Sequence, residues 1–519
     1  MNPDWLLKHF GQISEAPDAV PRLRRFILDL AVRGKLVEQN PADEPASELL
    51  KRIRAEKQEH AGRRSCTEQR PFEVDETETP FEIPESWEWV KATEPAVVIS
   101  DKGKKVQTKD VLEFGEFPVV DQGKVLIRGY CNDVQKVTRV SGPIIVFGDH
   151  TRETKLIDFD FVVGADGVKL LKPIEVNPAY YFLALQWVPL DSRGYARHFK
   201  LLRASRFPLP PLAEQHRIVA KVDELMALCD ELEAAQVKRE RRRDRLVAAT
   251  LHGLNNGDDS SEPGGHPIFE ESARFYFKHL PRLTTRPEHI QKLRQTILNL
   301  AVRGKLVWQD TKQQALTVES LEVPFYLPAS WRWKTIGDLG KTQTGSTPPT
   351  VERQHYDGNI PFIKPAAISD GVINYEGQCL TESGVRESTL VHAGAILMVC
   401  IGGSIGKAAL VTRSVCFNQQ INSVSPTEGI DAHYLLFAMQ SPYFGACVVN
   451  AAAQGTLPII SKGKWERLLI PVPPLAEQHR IVAKVDELMA LCDRLEARIT
   501  TTATTRHQLL EATLSEAIA

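Results

Sequence analysis

The stretch Pro210-Pro-Leu-Ala-Glu-Gln-His-Arg-Ile-Val-Ala-Lys-Val-Asp-Glu-Leu-Met-Ala-Leu-Cys-Asp230 decides how this chain is built, because it returns without a change at Pro473 to Asp493. Two prolines precede a run of good helix formers with an acid, Glu214 or Glu477, close behind, which marks a helix start. Inside the run, Ile218, Val222, Leu225, Cys229 and Leu232 recur at steps of four and three, and Ile481, Val485, Leu488, Cys492 and Leu495 repeat them. That spacing draws an apolar seam along one side of a helix. Carried on to the matching ends at Leu246 to Leu251 and Leu509 to Leu514, each helix covers about 40 residues, or about 60 Å. A helix of that length with an apolar stripe needs a partner, and its twin in the same chain is the expected one.

Working outward, two further elements are doubled. Leu23-Arg-Arg-Phe-Ile-Leu-Asp-Leu-Ala-Val-Arg-Gly-Lys-Leu-Val37 places Leu23, Phe26, Ile27, Leu30 and Ala31 on one helical face, with Arg33 and Gly34 as last-turn charge and cap. It returns as Leu293-Arg-Gln-Thr-Ile-Leu-Asn-Leu-Ala-Val-Arg-Gly-Lys-Leu-Val307. Pro80-Phe-Glu-Ile-Pro-Glu-Ser-Trp-Glu-Trp89 is matched by Pro324-Phe-Tyr-Leu-Pro-Ala-Ser-Trp-Arg-Trp333. Each half therefore runs short helix, Pro/Trp motif, variable stretch, long helix. Gly253 to Pro267, rich in Asn, Gly, Asp, Ser and Pro, reads as a mobile linker between the halves. Glu38 to Thr79 is polar, with one amphipathic helix near Ser47 to Glu59.

Composition bounds the function. The 519 residues suffice for several domains, and ordinary apolar and charged fractions place the chain among soluble globular proteins. No run is apolar enough to span a bilayer and Met1-Asn-Pro-Asp-Trp lacks a signal segment, so no membrane partner and a cytoplasmic address are expected. The eight Cys form no Cys-x-x-Cys pair and no His cluster has zinc spacing, so structural thiols and no metal site are expected. A net charge of −2 means that any nucleic-acid surface is local.

The variable stretches read as mixed α/β. Ile144–Phe147 and Phe161–Val163 are strand candidates in the first, with a helix over Pro178–Trp187. Ile360–Ile363 and Ala395–Cys400 are their counterparts in the second, with a helix over Asp431–Gln440. Three motifs fall short of catalysis. Asn177-Pro-Ala-Tyr180 is similar to the Asn-Pro-Pro-Tyr of amino-methyltransferases, but its third residue differs and no Gly-rich cofactor loop accompanies it, so a helix start explains it. Gly402-Gly-Ser-Ile-Gly-Lys407 lacks the Gly and Ser/Thr that a phosphate loop needs at 401 and 408, and reads as a turn presenting Ser404 and Lys407. Gly148-Asp-His-Thr151 lacks the partners of a nuclease or triad, and no catalytic residue is assigned.

The doubled Pro-Pro-Leu-Ala-Glu-Gln-His-Arg helix, the Leu-Ala-Val-Arg-Gly-Lys-Leu-Val element and the Pro/Trp motif resemble the specificity subunit of type I restriction-modification systems over nearly the whole chain. Ile144–Thr151, Gly345–Pro348, Ile401–Lys407 and Phe417–Ile421 are similar to segments of that family's target recognition domains. The resemblance implies an α+β fold in which two mixed α/β recognition domains are separated by a pair of long, antiparallel, coiled-coil-like helices, with an internal pseudo-twofold repeat. Boundaries follow: a helical and polar region over 1–79, recognition domains over 80–209 and 323–472, long helices over 210–252 and 473–519, a flexible linker over 253–281 and the repeated short helix over 282–322. It further implies a non-catalytic subunit that reads a bipartite double-stranded DNA site. Partners would be two modification subunits, which use S-adenosylmethionine to methylate adenine, and restriction subunits, which use ATP and Mg2+; this chain would bind no cofactor.

From Lys91 to Phe207, eighteen Lys and Arg outnumber fourteen Asp and Glu, so Lys102, Lys104, Lys105, Arg152 and Lys155 are candidate phosphate contacts, with His150 and Thr151 beside them. In the second domain Gln343, Thr344, Ser346, Asn418, Gln419 and Gln420 are candidates for base edges, because amides pair bidentately with adenine and hydroxyls meet several bases; Ser404 and Lys407 join them. Turn-capping amides are the alternative for these residues. Lys238-Arg-Glu-Arg-Arg-Arg-Asp-Arg245 reads as a solvated helix face. Two rival classes are a coiled-coil scaffold without sequence-specific DNA binding, which would not need two different globular inserts, and a stand-alone enzyme, which would need the missing motifs.

Overall fold

The computed structural model describes residues 16, 18–62, 79–100, 103–164, 167–190, 197–256, 267–308, 324–369, 371–453 and 457–518. They form two compact units, residues 1–237 with 503–519, and residues 238–502. The doubled segments become helices of 45 residues, Leu212–Asn256, and 44 residues, Leu475–Ile518. Each unit holds the start of one long helix and the end of the other. No described helix is long and apolar enough to cross a membrane.

The three doubled motifs dock on one another, in the same way in each unit. The first short helix, Ala19–Val32, closes at Gly34, whose φ of +70° permits the Lys35 N–H to reach the Leu30 carbonyl at 3.0 Å. Only glycine serves there, since a Cβ would sit 2.5 Å from Pro84 Cγ. Arg33 lies over the Phe81 ring at 4.4 Å, and Phe81 stacks edge-on with Trp89. Trp87, buried, donates its indole N–H to Glu214 at 2.9 Å. Burial pushes the Glu214 carboxyl above its ordinary pKa, against the pull of its bonds from Trp87 and Gln39. In the second unit the short helix is Pro287–Val302, Arg303 covers Phe325 at 4.7 Å, and Trp331 donates to Glu477 at 3.0 Å.

The seams share their cores with the short helices, and only the second core also takes in part of the twin long helix. Ile218, Val222 and Cys229 are buried, with Leu225 and Leu232 beside them, in a core that includes Val20, Ile27 and Ala31 of the first short helix. Ile481, Val485, Cys492, Leu488 and Leu495 lie in another core with Ile290, Leu293, Ile297 and Ala301 of the second, joined there by Val247, Leu251 and Leu254 of the first long helix. Each seam is thus covered by the short helix of its own unit, and the two seams do not share a core. Periodicity reveals a stripe but not what lies opposite, and the short helix carries a matching stripe. Arg24 ties to Asp230 at 2.5 Å and Glu233 at 3.0 Å, and Arg294 repeats this with Asp493 and Glu496 at 2.6 and 3.1 Å.

The flexible linker expected over 253–281 is corrected. A helix spans Pro267–Leu283, with Ala273, Tyr276, Leu280 and Leu283 facing the second unit's core and the Tyr276 hydroxyl 3.1 Å from Thr284 Oγ1. Its three-four-three spacing is masked in the sequence by the Gly/Pro run before it. Residues 257–266 lie outside the described residues.

The inserts share one strand order. In the first, Ala96–Ile99, Val168–Pro173, Ile144–Gly148 and Thr154–Ile157 lie side by side; in the second, Gly340–Thr344, Ile421–Pro426, Ile396–Val399 and Ala408–Leu410 do the same. Beside each sheet lies a parallel pair, Phe117–Val120 with Phe161–Gly164 and Tyr356–Ile363 with Val415–Phe417. Antiparallel strands flank each pair. Helices Pro178–Trp187 and Ala432–Gln440 follow, capped by Asn177 and Asp431, whose side chains accept two backbone N–H groups each. The Asn-Pro-Ala-Tyr motif is thus a helix start. Gln215 and Gln478, both fully buried, hold these helices to the long ones by accepting from the N–H of Asn177 at 2.8 Å and of Asp431 at 2.7 Å. Strands Glu88–Lys91 with Arg206–Leu209, and Arg332–Thr335 with Leu469–Val472, close each insert at its base.

Candidate nucleic-acid interface

In each domain the parallel strands run out at one edge, and the turns beyond them gather the polar side chains. In the first domain, Val120 pairs beside Val163, and the chain leaves Val120 into Asp121-Gln-Gly123. The strand ending at Gly148 leaves into Asp149–Arg152. Gln122 joins the two turns: its Oε1 accepts from the His150 N–H at 3.2 Å and its carbonyl accepts from the Thr151 hydroxyl at 2.5 Å. Arg152 has φ +66° and donates to the Leu190 carbonyl at 2.7 Å. Asp149 is buried and accepts from the Phe199 N–H at 2.7 Å, so it organises the turn rather than facing outward.

Lys155 is corrected as a phosphate contact. It is only 6 % exposed, and its Nζ donates to the carbonyls of Asp121 at 2.8 Å and Val125 at 2.6 Å, with Asp121 Oδ1 at 3.6 Å. Burial lowers its pKa, partly offset by the Asp121 carboxylate. It pins the 121–128 hairpin loop from beneath, leaving Lys124, Val125 and Leu126 exposed at the tip. Lys104 donates to the Val137 carbonyl at 3.2 Å. Lys105 pairs across Val163 from Val120, two strand spacings or about 10 Å away. Lys102 lies outside the described residues. The structure therefore brings together His150, Thr151 and Arg152 and adds Gln122 and Lys124, which sequence reading missed. The signal was present: a polar Asp-Gln-Gly turn follows directly on a buried Val-Val strand end.

In the second domain the polar web is denser. Gly345 passes so close to the 417–418 backbone that a Cβ would meet the Asn418 carbonyl at 2.1 Å, and this approach seats Ser346 N–H on the Phe417 carbonyl at 3.0 Å. Ser346 Oγ lies 3.2 Å from Thr389 Oγ1, Thr344 donates to Asn422 Oδ1 at 2.8 Å, and Thr347 donates to Gln419 Oε1 at 2.6 Å. Asn418 is buried and caps its own turn, bonding Gln420 through both ends of its amide at 3.0 and 3.2 Å. Asn418 is thereby a turn amide, and Gln420 is its partner. Gln343 sits in the strand opposite Ser423. The Cys400 N–H donates to the Gln420 carbonyl at 2.8 Å, which joins the 401–407 turn to the same edge. Ser404 is half-buried in that turn, whose Lys407 N–H reaches the Ser404 carbonyl at 3.2 Å, and the Lys407 side chain is exposed. Exposed Thr344, Thr347, Gln419 and Lys407 are thus the outward-facing set; Thr347 was not singled out from sequence. Among the described residues no group of three or more His, Cys, Asp or Glu could hold a metal.

One strand plan used twice on a repeated helical frame, with a different set of polar turns at the same edge of each copy, is the construction of a two-module recognition protein. Residues 84–240 and 328–505, more than half of the chain, match the type I restriction modification DNA specificity domain, and the chain belongs to that family as a specificity subunit with two recognition domains. It is 28% identical to the type I restriction enzyme EcoAI specificity subunit of Escherichia coli, over 96% of this chain and 94% of that protein. The EcoEI specificity subunit of the same organism is 27% identical over the same shares. Among solved structures, an HsdS subunit from Thermoanaerobacter tengcongensis matches with a TM-score of 0.42 at 19% identity, covering 85% of this chain and 99% of that one.

Proposed function

We propose that each domain reads one half of a bipartite double-stranded DNA site, that the long helices fix the gap between the halves and dock two modification subunits, and that this chain does no chemistry itself. The observation that carries this is that helices sharing one identical segment bear non-identical edges: His150, Thr151, Arg152 and Lys124 in one domain, Thr344, Thr347, Gln419 and Lys407 in the other. Phosphate contacts place a protein on DNA and base-edge contacts specify sequence, and both residue types stand at each edge. Adenine methylation with S-adenosylmethionine would belong to the modification subunits, and ATP- and Mg2+-dependent cleavage to restriction subunits.

The test is exchange of residues 91–207 for the equivalent part of a relative, in complex with the modification subunits, followed by methylation mapping. One half-site should change and the other stay. If both halves change together, the domains do not read independently and the proposal fails. The chain freed of other subunits should show no methylation or cleavage with any combination of S-adenosylmethionine, ATP and Mg2+.

A further inference from the structure

The first long helix carries a feature that its twin lacks. Lys238, Arg241, Arg242 and Arg245 are all exposed, and at about 100° per residue they fall within about 100° of arc, one stripe along about 10 Å of helix. The acids interspersed with them, Glu240 and Asp244, lie on the opposite side. There Asp244 pairs with Arg286 and, at 2.9 Å, with His289 Nε2, while Glu240 pairs with Arg243 and lies 3.8 Å from Arg286. The helix thus turns its negative charge toward the short helix and leaves its positive charge outward. None of the four stripe cations has a hydrogen-bond or ion-pair partner among the described residues.

The corresponding positions of the second long helix, counted from the identical segment, are Thr501, Thr504, Thr505 and Gln508, with no charge at all. A face that docks two identical modification subunits has to occur on both copies of the repeat, as Pro210–Asp230 and Pro473–Asp493 do. A stripe present on one copy is unsuited to that task. It suits a uniformly anionic partner, whose phosphates repeat along its length and require no matching cation on the twin helix. We infer that Lys238, Arg241, Arg242 and Arg245 hold the phosphate backbone of the DNA between the two half-sites, contributing affinity without reading sequence. The stripe's length equals the rise of about three base pairs, so it fits a single short run of backbone. This inference rests on the DNA-reading function proposed above.

The test uses the complex of this chain with its modification subunits and compares wild type with a K238Q/R241Q/R242Q/R245Q variant. Binding to a specific site and to random DNA is measured across a salt series. Each phosphate neutralised by a cation adds about 0.9 to the slope of log K against log salt, so the variant should lose about two to four from that slope on both DNAs. The methylated sequence and the recovery of modification subunits should stay as in wild type. An unchanged salt slope overturns the inference, as does a loss of modification subunits from the purified complex, which would assign the stripe to a protein partner. Should wild type itself methylate no defined sequence, the recognition reading is what fails.

Discussion

The first recognition domain and the second are the same strand plan finished in two chemistries. In the first, the edge loop rests on one buried ammonium: Lys155 gathers the carbonyls of Asp121 and Val125. In the second, no buried cation serves the edge among the described residues, and hydroxyls and amides do the gathering, Thr344 on Asn422, Thr347 on Gln419 and Asn418 on Gln420. A buried charge fixes few carbonyls strongly and leaves the tip free to vary, whereas a web of neutral bonds spreads the constraint over many side chains. The scaffold beneath tolerates both because its own contacts, Trp87 with Glu214 and Trp331 with Glu477, do not reach the edge.

The largest effects should come from breaking what the two units share. Trp87→Ala and Trp331→Ala each remove a buried indole, at a cost of about 3–5 kcal/mol, and the two should cost alike by chemical denaturation; a cost confined to one would show that the repeated docking is not equivalent. Next comes what they do not share. Lys155→Met leaves the carbonyls of Asp121 and Val125 without their donor, which should cost about 1–3 kcal/mol and loosen sequence discrimination in the first half-site only. Equal loss of discrimination in both halves would tie the loop to the scaffold instead. Smaller still, inserting four residues after Ala234 lengthens the first long helix by about 6 Å and nearly restores its rotation, so the gap should grow by about one or two base pairs with both half-sites kept. Retained activity at the old spacing, mapped on a library of randomised gaps, would mean that the helices brace without measuring. The smallest expected change is Lys407→Ala, which should lower the salt slope of binding by about 0.9 on all sequences, and no change would return Lys407 to solvent.

The frame was legible because it is written in local chemistry. The Asn177 and Asp431 caps, the strands at Ile144–Gly148 and Phe161–Gly164 and the helix at Pro178–Trp187 all follow from neighbours in sequence. What escaped is what depends on distant residues. The burial of Lys155 is set by carbonyls some thirty positions earlier, and the seam at Ile218 is covered by a stripe almost two hundred residues before it. The common strand order of the inserts was hidden because its equivalent strands Ile144–Gly148 and Ile396–Val399 are buried throughout and show no alternation to compare. Among the candidate site residues, type was a fair guide to the edge but not to exposure: Asn418 and Gln419 are adjacent, yet the first is spent on its own turn and the second faces out.

That each long helix begins in one unit and ends in the other has a consequence for how the molecule comes into being. The first unit includes residues 503–519, where Leu510 packs with Ala16 and Ala19, and Glu511 meets Arg22 at 3.2 Å. A ribosome finishes the first recognition domain long before it supplies that segment, so the nascent first unit must wait with its short helix partly uncovered until residues 503–519 have been translated. A premature stop late in the second half would therefore damage the earliest-made part of the protein as well as the latest.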